Sequence, residues 1–212
     1  MPEVKPKRRY DASRRREQAA RTRAAILDVA RRQFLEHGYA ATTVPGIAAD
    51  AEVSAETVYK AFGGKAGLVR ALWERGLAGR GPVPAPQRAD ELSATATDPA
   101  AVLRGWGTLT TEVAPEGAPL VLLVRAAAVT DPEMASLLAE IDRQRRTRMR
   151  HNARRLRDRG WLRRDVTLAK ATDILWTYSA PELYELLVLK SGWPLTRYGE
   201  FVGEAMIAAL LP

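Results

Sequence analysis

The sequence predicts an all-α protein of about nine helices in two parts, and three observations carry that reading. Apolar residues recur at helical spacing along most of the chain, as in Ile26, Leu27, Ala30 and Phe34, or Val102, Leu103, Trp106 and Leu109. Start and stop signals punctuate the pattern. Thr43 and Ser54 are hydroxyl N-caps, Asp98-Pro99 and Asp131-Pro132 are starts, and Gly38, Gly63-Gly64 and Gly160 are stops. The charge divides in two as well: residues 1–80 hold 16 Lys/Arg against 9 Asp/Glu, and residues 81–212 hold 17 against 16.

Residues 1–21 read as a basic, flexible arm, with Lys5, Lys7, Arg8, Arg9, Arg14, Arg15, Arg16 and Arg21. Pro2 and Pro6 discourage early structure, and the first helix can extend back to Asp11 or Ser13. The arm either follows a phosphate backbone or minor groove, or is solvated. Helix one spans about Thr22 to Glu36. The stretch Thr42 to Lys65 then fits two short helices joined by a tight turn. The first runs from Val44 to Ala51, with Thr43 as cap and Pro45 in the first turn, where a missing N–H costs little. Glu52 and Val53 make the turn. Ser54 caps the second helix, Ala55 to Phe62, whose Val58 and Phe62 share an apolar face. Thr57, Tyr59 and Lys60 remain off that face, and their hydroxyl, phenol and ammonium groups suit phosphates and base edges. Each alone is an ordinary surface residue; the set at this spacing points to nucleic acid. Lys65 opens the next helix, where a phosphate would meet both a lysine and backbone N–H groups.

Thr22 to Leu72 resembles the N-terminal domain of the tetracycline-repressor (TetR) family of bacterial transcription regulators. The residues that carry the likeness are Ile26-Leu27, Ala30, Phe34, Gly38-Tyr39, Thr42-Thr43-Val44, Ile47-Ala48, Ala51, Val53-Ser54, Thr57-Val58-Tyr59, Phe62, Lys65 and Leu68. Glu52 stands where that family usually has glycine, and Pro45 where it often has a polar residue. The resemblance implies a helix-turn-helix DNA-binding domain over residues 22–64, and an effector-binding and dimerisation domain over 65–212. It implies a homodimer on a near-palindromic double-stranded operator, with Thr57, Tyr59 and Lys60 on bases and phosphates and Thr43, Ser54 and Lys65 fixing the register. It also implies that the protein works in the cytoplasm, as a ligand-responsive repressor.

Helix four runs from Lys65 to about Ala78. The run Gly79-Arg80-Gly81-Pro82-Val83-Pro84-Ala85-Pro86 opens a loop over 79–97 with at most one short turn. Helix five spans Pro99 to Val113 and is broken by Pro115 and Gly117. Helix six, Ala118 to Thr130, is apolar nearly all round and therefore buried. Helix seven runs from Pro132 to about Arg159. Between Arg143 and Arg164 stand eleven arginines and one acid, Asp158, either a solvated face or a second nucleic-acid surface. Helix eight begins near Thr167 and meets a break at Pro181, and helix nine covers Leu195 to Leu211. Apolar residues crowd these last helices beyond one monomer's core, which a dimer through about 167–211 would bury.

In the family, helices five to eight surround a ligand cavity. On that basis Trp106, Leu109, Leu122, Arg125, Met134, Leu138, Trp176 and Tyr178 are candidate wall residues, and they suit a small hydrophobic or aromatic effector. Arg125, alone in an apolar helix, would pair an anionic ligand or an acid such as Glu112. No cysteine is present, which excludes disulfides, Cys-based zinc sites and a cysteine nucleophile. No apolar run spans a bilayer. No metal-spaced histidines, nucleophile elbow or paired carboxylates stand out, so no cofactor, metal or catalytic residue is expected. Gly63-Gly64-Lys65 lacks the spacing of a phosphate loop. Two other classes stay open. One is a non-specific nucleic-acid packaging protein, prompted by the arginine blocks; the other is a helical enzyme.

Overall fold

The structure is a computed structural model that describes residues 9–212, with side chains from residue 13 onward. Every regular element among them is helical. The chain falls into two compact units, one up to Leu68 and one from Val69 to Pro212. The division lies inside a continuous helix, four residues later than the 64/65 boundary expected from the sequence.

In the first unit α1 runs Arg9–Ala41, interrupted only at Gly38 (φ 79°, ψ 168°). Residues 9–21, expected as a flexible arm, are therefore helical from Arg9; residues 1–8 of that arm lie outside the described residues. Thr42 is buried, and its hydroxyl donates to the carbonyls of Gln33 (3.1 Å) and Gly38 (2.8 Å), fixing the exit from α1. Then come α2, Val44–Asp50, and α3, Ala55–Phe62. Ile26, Ala30, Phe34, Ile47, Val58 and Leu68 are buried together as the core of this unit. The turn between α2 and α3 closes through Val53 N–H to Ala48 O at 3.0 Å, with Glu52 at φ 54°. This left-handed geometry is the one glycine favours.

The helix α4, Lys65–Ala78, carries the chain into the second unit. There follow α5 (Ala85–Thr95), α6 (Pro99–Ala127), α7 (Pro132–Asp158), α8 (Leu168–Tyr178), α9 (Pro181–Tyr184) and α10 (Leu195–Leu210). Between α9 and α10, residues Glu185–Lys190 wind as a π-helix. Asp98, Asp131 and Thr167 cap their helices with side-chain oxygens. The core gathers Val102, Leu103, Leu156, Ala171, Leu175 and Val202. Backbones touch where α6 crosses α10. A Cβ added at Gly107 would press on the Gly199 carbonyl and lie 2.9 Å from Gly203 N, and one at Gly199 would lie 2.5 Å from Thr111 Cγ2.

Two expectations for this unit fail, both through proline. The 79–97 loop contains a three-turn helix, α5, because Pro86 sits in its first turn, where it costs no hydrogen bond. Helices five and six are one helix, α6, which continues through Pro115 and Pro119. Burial of Ala118, Leu120, Val121 and Val124 offsets the local penalty of roughly 3 kcal/mol that an interior proline carries.

Candidate nucleic-acid interface and ligand cavity

The outward side of α3 presents Thr57, Tyr59 and Lys60, all exposed, with Tyr59 at 52%. Local chemistry holds this face in place. Ser54 Oγ accepts the Thr57 N–H at 3.1 Å and lies 2.9 Å from Thr57 Oγ1. Thr43 Oγ1 accepts the Gly46 N–H at 3.1 Å. Lys65 Nζ donates to the Tyr39 carbonyl at 2.6 Å and sits 4.2 Å from the Tyr39 ring centroid. The three residues expected to fix the register are thus structural groups at the joints of the motif, and Tyr59 and Lys60 are the outward pair. Sequence reading missed Arg23. Its guanidinium donates to Ala61 O at 3.0 Å and lies 4.2 Å from the Phe62 ring centroid, which anchors the last turn of α3 to α1. On the other side of the motif, Asp50 of α2 accepts from Gln33 (2.9 Å) and Arg32 (3.1 Å), and these bonds hold its carboxyl below its ordinary pKa.

The second unit holds a partly open cavity of about 330 Å³, within the range of small-molecule sites. Its longest wall is one stripe of α6: Trp106, Leu109, Val113, Gly117, Ala118 and Val121. The stripe keeps helical phase across Pro115 because α6 is unbroken. Of the eight candidates from sequence, Trp106, Leu109 and Tyr178 line the cavity. Leu122, Arg125, Met134, Leu138 and Trp176 are not part of its wall. Leu122 and Arg125 fall off the continuous stripe, and Met134 is fully buried at the start of α7. Arg125 pairs with Glu182, not with Glu112, which is held by Arg88. Trp176 lies beneath Arg146 and Arg145, 5.3 and 5.8 Å from their guanidinium carbons.

Sequence reading also missed Trp73, Arg145, Arg148, Asn152, Tyr184 and Tyr198, all in the wall. Arg145 is only 9% exposed in its side chain; it binds Asp142 at 3.0 Å and the Ser179 carbonyl at 3.0 Å. Burial lowers its pKa, and Asp142 counters that. Arg148 forks onto Asp90 (2.9 and 3.0 Å) and reaches Pro86 O at 2.9 Å. Burial pushes Asp90 up, but the Arg148 bonds prevail, with help from His151 at 3.0 Å, and hold its pKa below the ordinary value. Tyr198 is pushed up to about 12 by burial and by the neighbouring Tyr184, so its phenol is neutral. Asn152 is 6% exposed, and its Oδ1 has no hydrogen-bond partner among the described residues.

The arginine block has a specific use. Arg148, His151, Arg155 and Arg159 reach from α7 and its end to α5, which supplies Ala85, Pro86 and Ala89 to the cavity wall. Arg155 donates to Asp90 O (2.8 Å) and Ser93 Oγ (3.1 Å). Arg159 donates to the carbonyls of Ala94 (2.8 Å) and Ala96 (2.5 Å), the free acceptors at the C-terminal end of α5. Arg146 pairs with Asp173 and Arg163 with Asp165. Most of the block is therefore engaged with the protein itself, which removes the main motive for the packaging reading. Among the described residues no helix is long and apolar enough to cross a membrane, and no group of three metal-ligating side chains occurs.

Comparison with known proteins bears on both sites. Residues 26–72 match the sequence profile described as "Bacterial regulatory proteins, tetR family". No curated protein sequence matches the chain. Among solved structures, SmeT in complex with triclosan superposes with a TM-score of 0.68 at 25% identity, covering 90% of this chain and 92% of that one. SmeT is the repressor of a Stenotrophomonas maltophilia multidrug efflux pump. NalD, the secondary repressor of an efflux pump in Pseudomonas aeruginosa, gives 0.63 at 19% identity over 92% and 98% of the two chains. FadR from Bacillus halodurans, a fatty acid degradation regulator, gives 0.69 at 17% over 88% and 94%. The last two likenesses are of fold.

Proposed function

Because the chain belongs to the tetR family of bacterial regulatory proteins, we propose that it is a homodimeric, ligand-responsive repressor. The family assignment makes it a helix-turn-helix DNA-binding transcription regulator and not an enzyme. The reading of the site goes further. Tyr59, Lys60 and Thr57 meet base edges and phosphates in the major groove, while Thr43, Ser54 and Lys65 hold the motif in register. The observation that carries it is the α3 face. Three donor-bearing side chains stand exposed on a short helix whose ends are fastened by Ser54 and Arg23.

Two copies pair through the region 167–211. Leu186 and Leu189 are 54% and 53% exposed there, and Phe201 is exposed as well, apolar surface that pairing would cover. The α6-walled cavity takes a small, largely apolar effector, and the likeness to SmeT bound to triclosan supports a small-molecule ligand. Binding acts by favouring a dimer whose two heads no longer match half-sites about 34 Å apart. The protein works where the bacterial chromosome is, in the cytoplasm.

Selection of bound sequences from random duplex DNA, at fixed near-physiological salt, tests this reading. The expected result is an inverted repeat. Binding without sequence enrichment counts against it and in favour of packaging.

A further inference from the structure

The cavity's ion pairs and its one orphaned amide together define the ligand's chemistry. Both arginines in the wall are already bound. Arg148 has Asp90 and the Pro86 carbonyl, and Arg145 has Asp142 and the Ser179 carbonyl. An organic anion entering here would have to compete with a carboxylate that already holds each arginine from outside the wall, Asp142 on Arg145 and Asp90, by two parallel bonds, on Arg148. Asn152 is the opposite case. It shares the cavity-facing stripe of α7 with Gln144, Arg145, Arg148 and Met149, between the core residues Leu156 and Ala153 on one side and the cavity on the other. A buried carboxamide oxygen with no partner carries a desolvation cost, whereas an aliphatic residue at the same place would carry none. A ligand donor removes that cost.

We propose that the cavity selects an uncharged, two-ring-sized aromatic or alicyclic molecule carrying a hydroxyl or N–H group, with Asn152 as the residue that reads that group. Tyr198 and Tyr184, whose rings meet edge to face at 5.7 Å, line the same space and present apolar surface to the remainder of the ligand. This rests on the cavity being the effector site, and it adds the discrimination: neutral over anionic, and donor-bearing over plain hydrocarbon.

The test uses the full chain and three probes, naphthalene, 2-naphthol and 2-naphthoate, in sealed equilibrium dialysis near pH 7.5. The wild type should bind 2-naphthol about tenfold more tightly than naphthalene, as one recovered hydrogen bond implies. The carboxylate should bind weakest of the three. In Asn152→Leu, the naphthol and naphthalene affinities should converge while naphthalene binding persists. Asn152→Ala reads the same comparison should the leucine variant not fold. A carboxylate that binds as tightly as the naphthol, or a naphthol preference that survives in the variant, overturns the proposal. Loss of all binding in folded wild type overturns both the proposal and the cavity reading. Binding in the expected order that leaves DNA affinity unchanged supports the proposal and overturns the ligand-responsive reading instead.

Discussion

Arg148 meets Asp90 through two parallel N–H···O bonds, at 3.0 and 2.9 Å, across 58 positions of sequence. The pair binds α5, a helix of weak intrinsic pattern, to α7, and so closes one side of the cavity. Asp90→Asn should therefore lower the melting temperature at neutral pH by roughly 2–6 °C, a modest figure because the pair is partly solvated. The pH dependence follows from the sign of the shift. The folded carboxyl titrates below its ordinary value, so its contribution is full above about pH 4 and is lost as pH falls through the lower, folded value. Melting curves at pH 7 and pH 3 check this: the gap between wild type and variant should be wide at the first and narrow at the second.

Tyr59 is half exposed on a helix whose apolar side is already packed, so its removal should cost the fold little. Tyr59→Ala should leave stability within about 0.5 kcal/mol while weakening binding to a selected operator roughly tenfold or more. Fluorescence anisotropy with the operator, beside a denaturant melt, separates the two effects. Unchanged operator binding would remove Tyr59 from the interface.

At Glu52 the backbone adopts φ 54°, a left-handed geometry that a side chain resists by roughly 1–2 kcal/mol. Glu52→Gly should stabilise the first unit by about 0.5–1 kcal/mol, after the entropy that glycine loses on folding is subtracted. Chemical denaturation followed on the head gives the number, and a loss of stability would mean that the carboxylate has a local use.

Where α6 crosses α10, Gly107 and Gly199 leave no room for a methyl group, and one at Gly203 would lie 3.2 Å from Arg104 Cα. Gly107→Ala should destabilise the second unit by about 1–3 kcal/mol through overpacking. A thermal melt that shows no change would mean that the two helices slide apart at little cost.

The first unit was legible in the sequence almost residue by residue from Thr42 onward, whereas α1 runs beyond its expected span at both ends. The caps at Thr43 and Ser54 and the span Ala55–Phe62 lie where local chemistry puts them, because capping, turn and apolar spacing all act within a few residues. The second unit was legible in its helices' starts at Asp98, Asp131 and Thr167 but not in its interior. Pro115 and Pro119 broke the pattern on paper, and only burial of the far half of α6 keeps that helix whole. Leu122 and Arg125, named as candidates on the family resemblance, lie off the stripe that α6 turns to the cavity, whereas Gly117 and Val121 lie on it. Asn152 and Tyr198 carried no local signal, since what distinguishes them is a long-range neighbourhood. The same holds for the arginines of α7, whose partners lie as far as 66 positions away.

Those arginines bear on how variation in this protein should be read. Arg148, Arg155 and Arg159 look like interchangeable surface charge, and a lysine at any of them would preserve the net charge of the chain. Lysine has no planar fork. It cannot meet both oxygens of Asp90 with two parallel bonds, and it would have to reach the carbonyls of Ala94 and Ala96 from a single nitrogen where Arg159 uses two. A drift from arginine to lysine along α7 would therefore be silent to any charge-based comparison of sequences, while loosening the α5 side of the cavity.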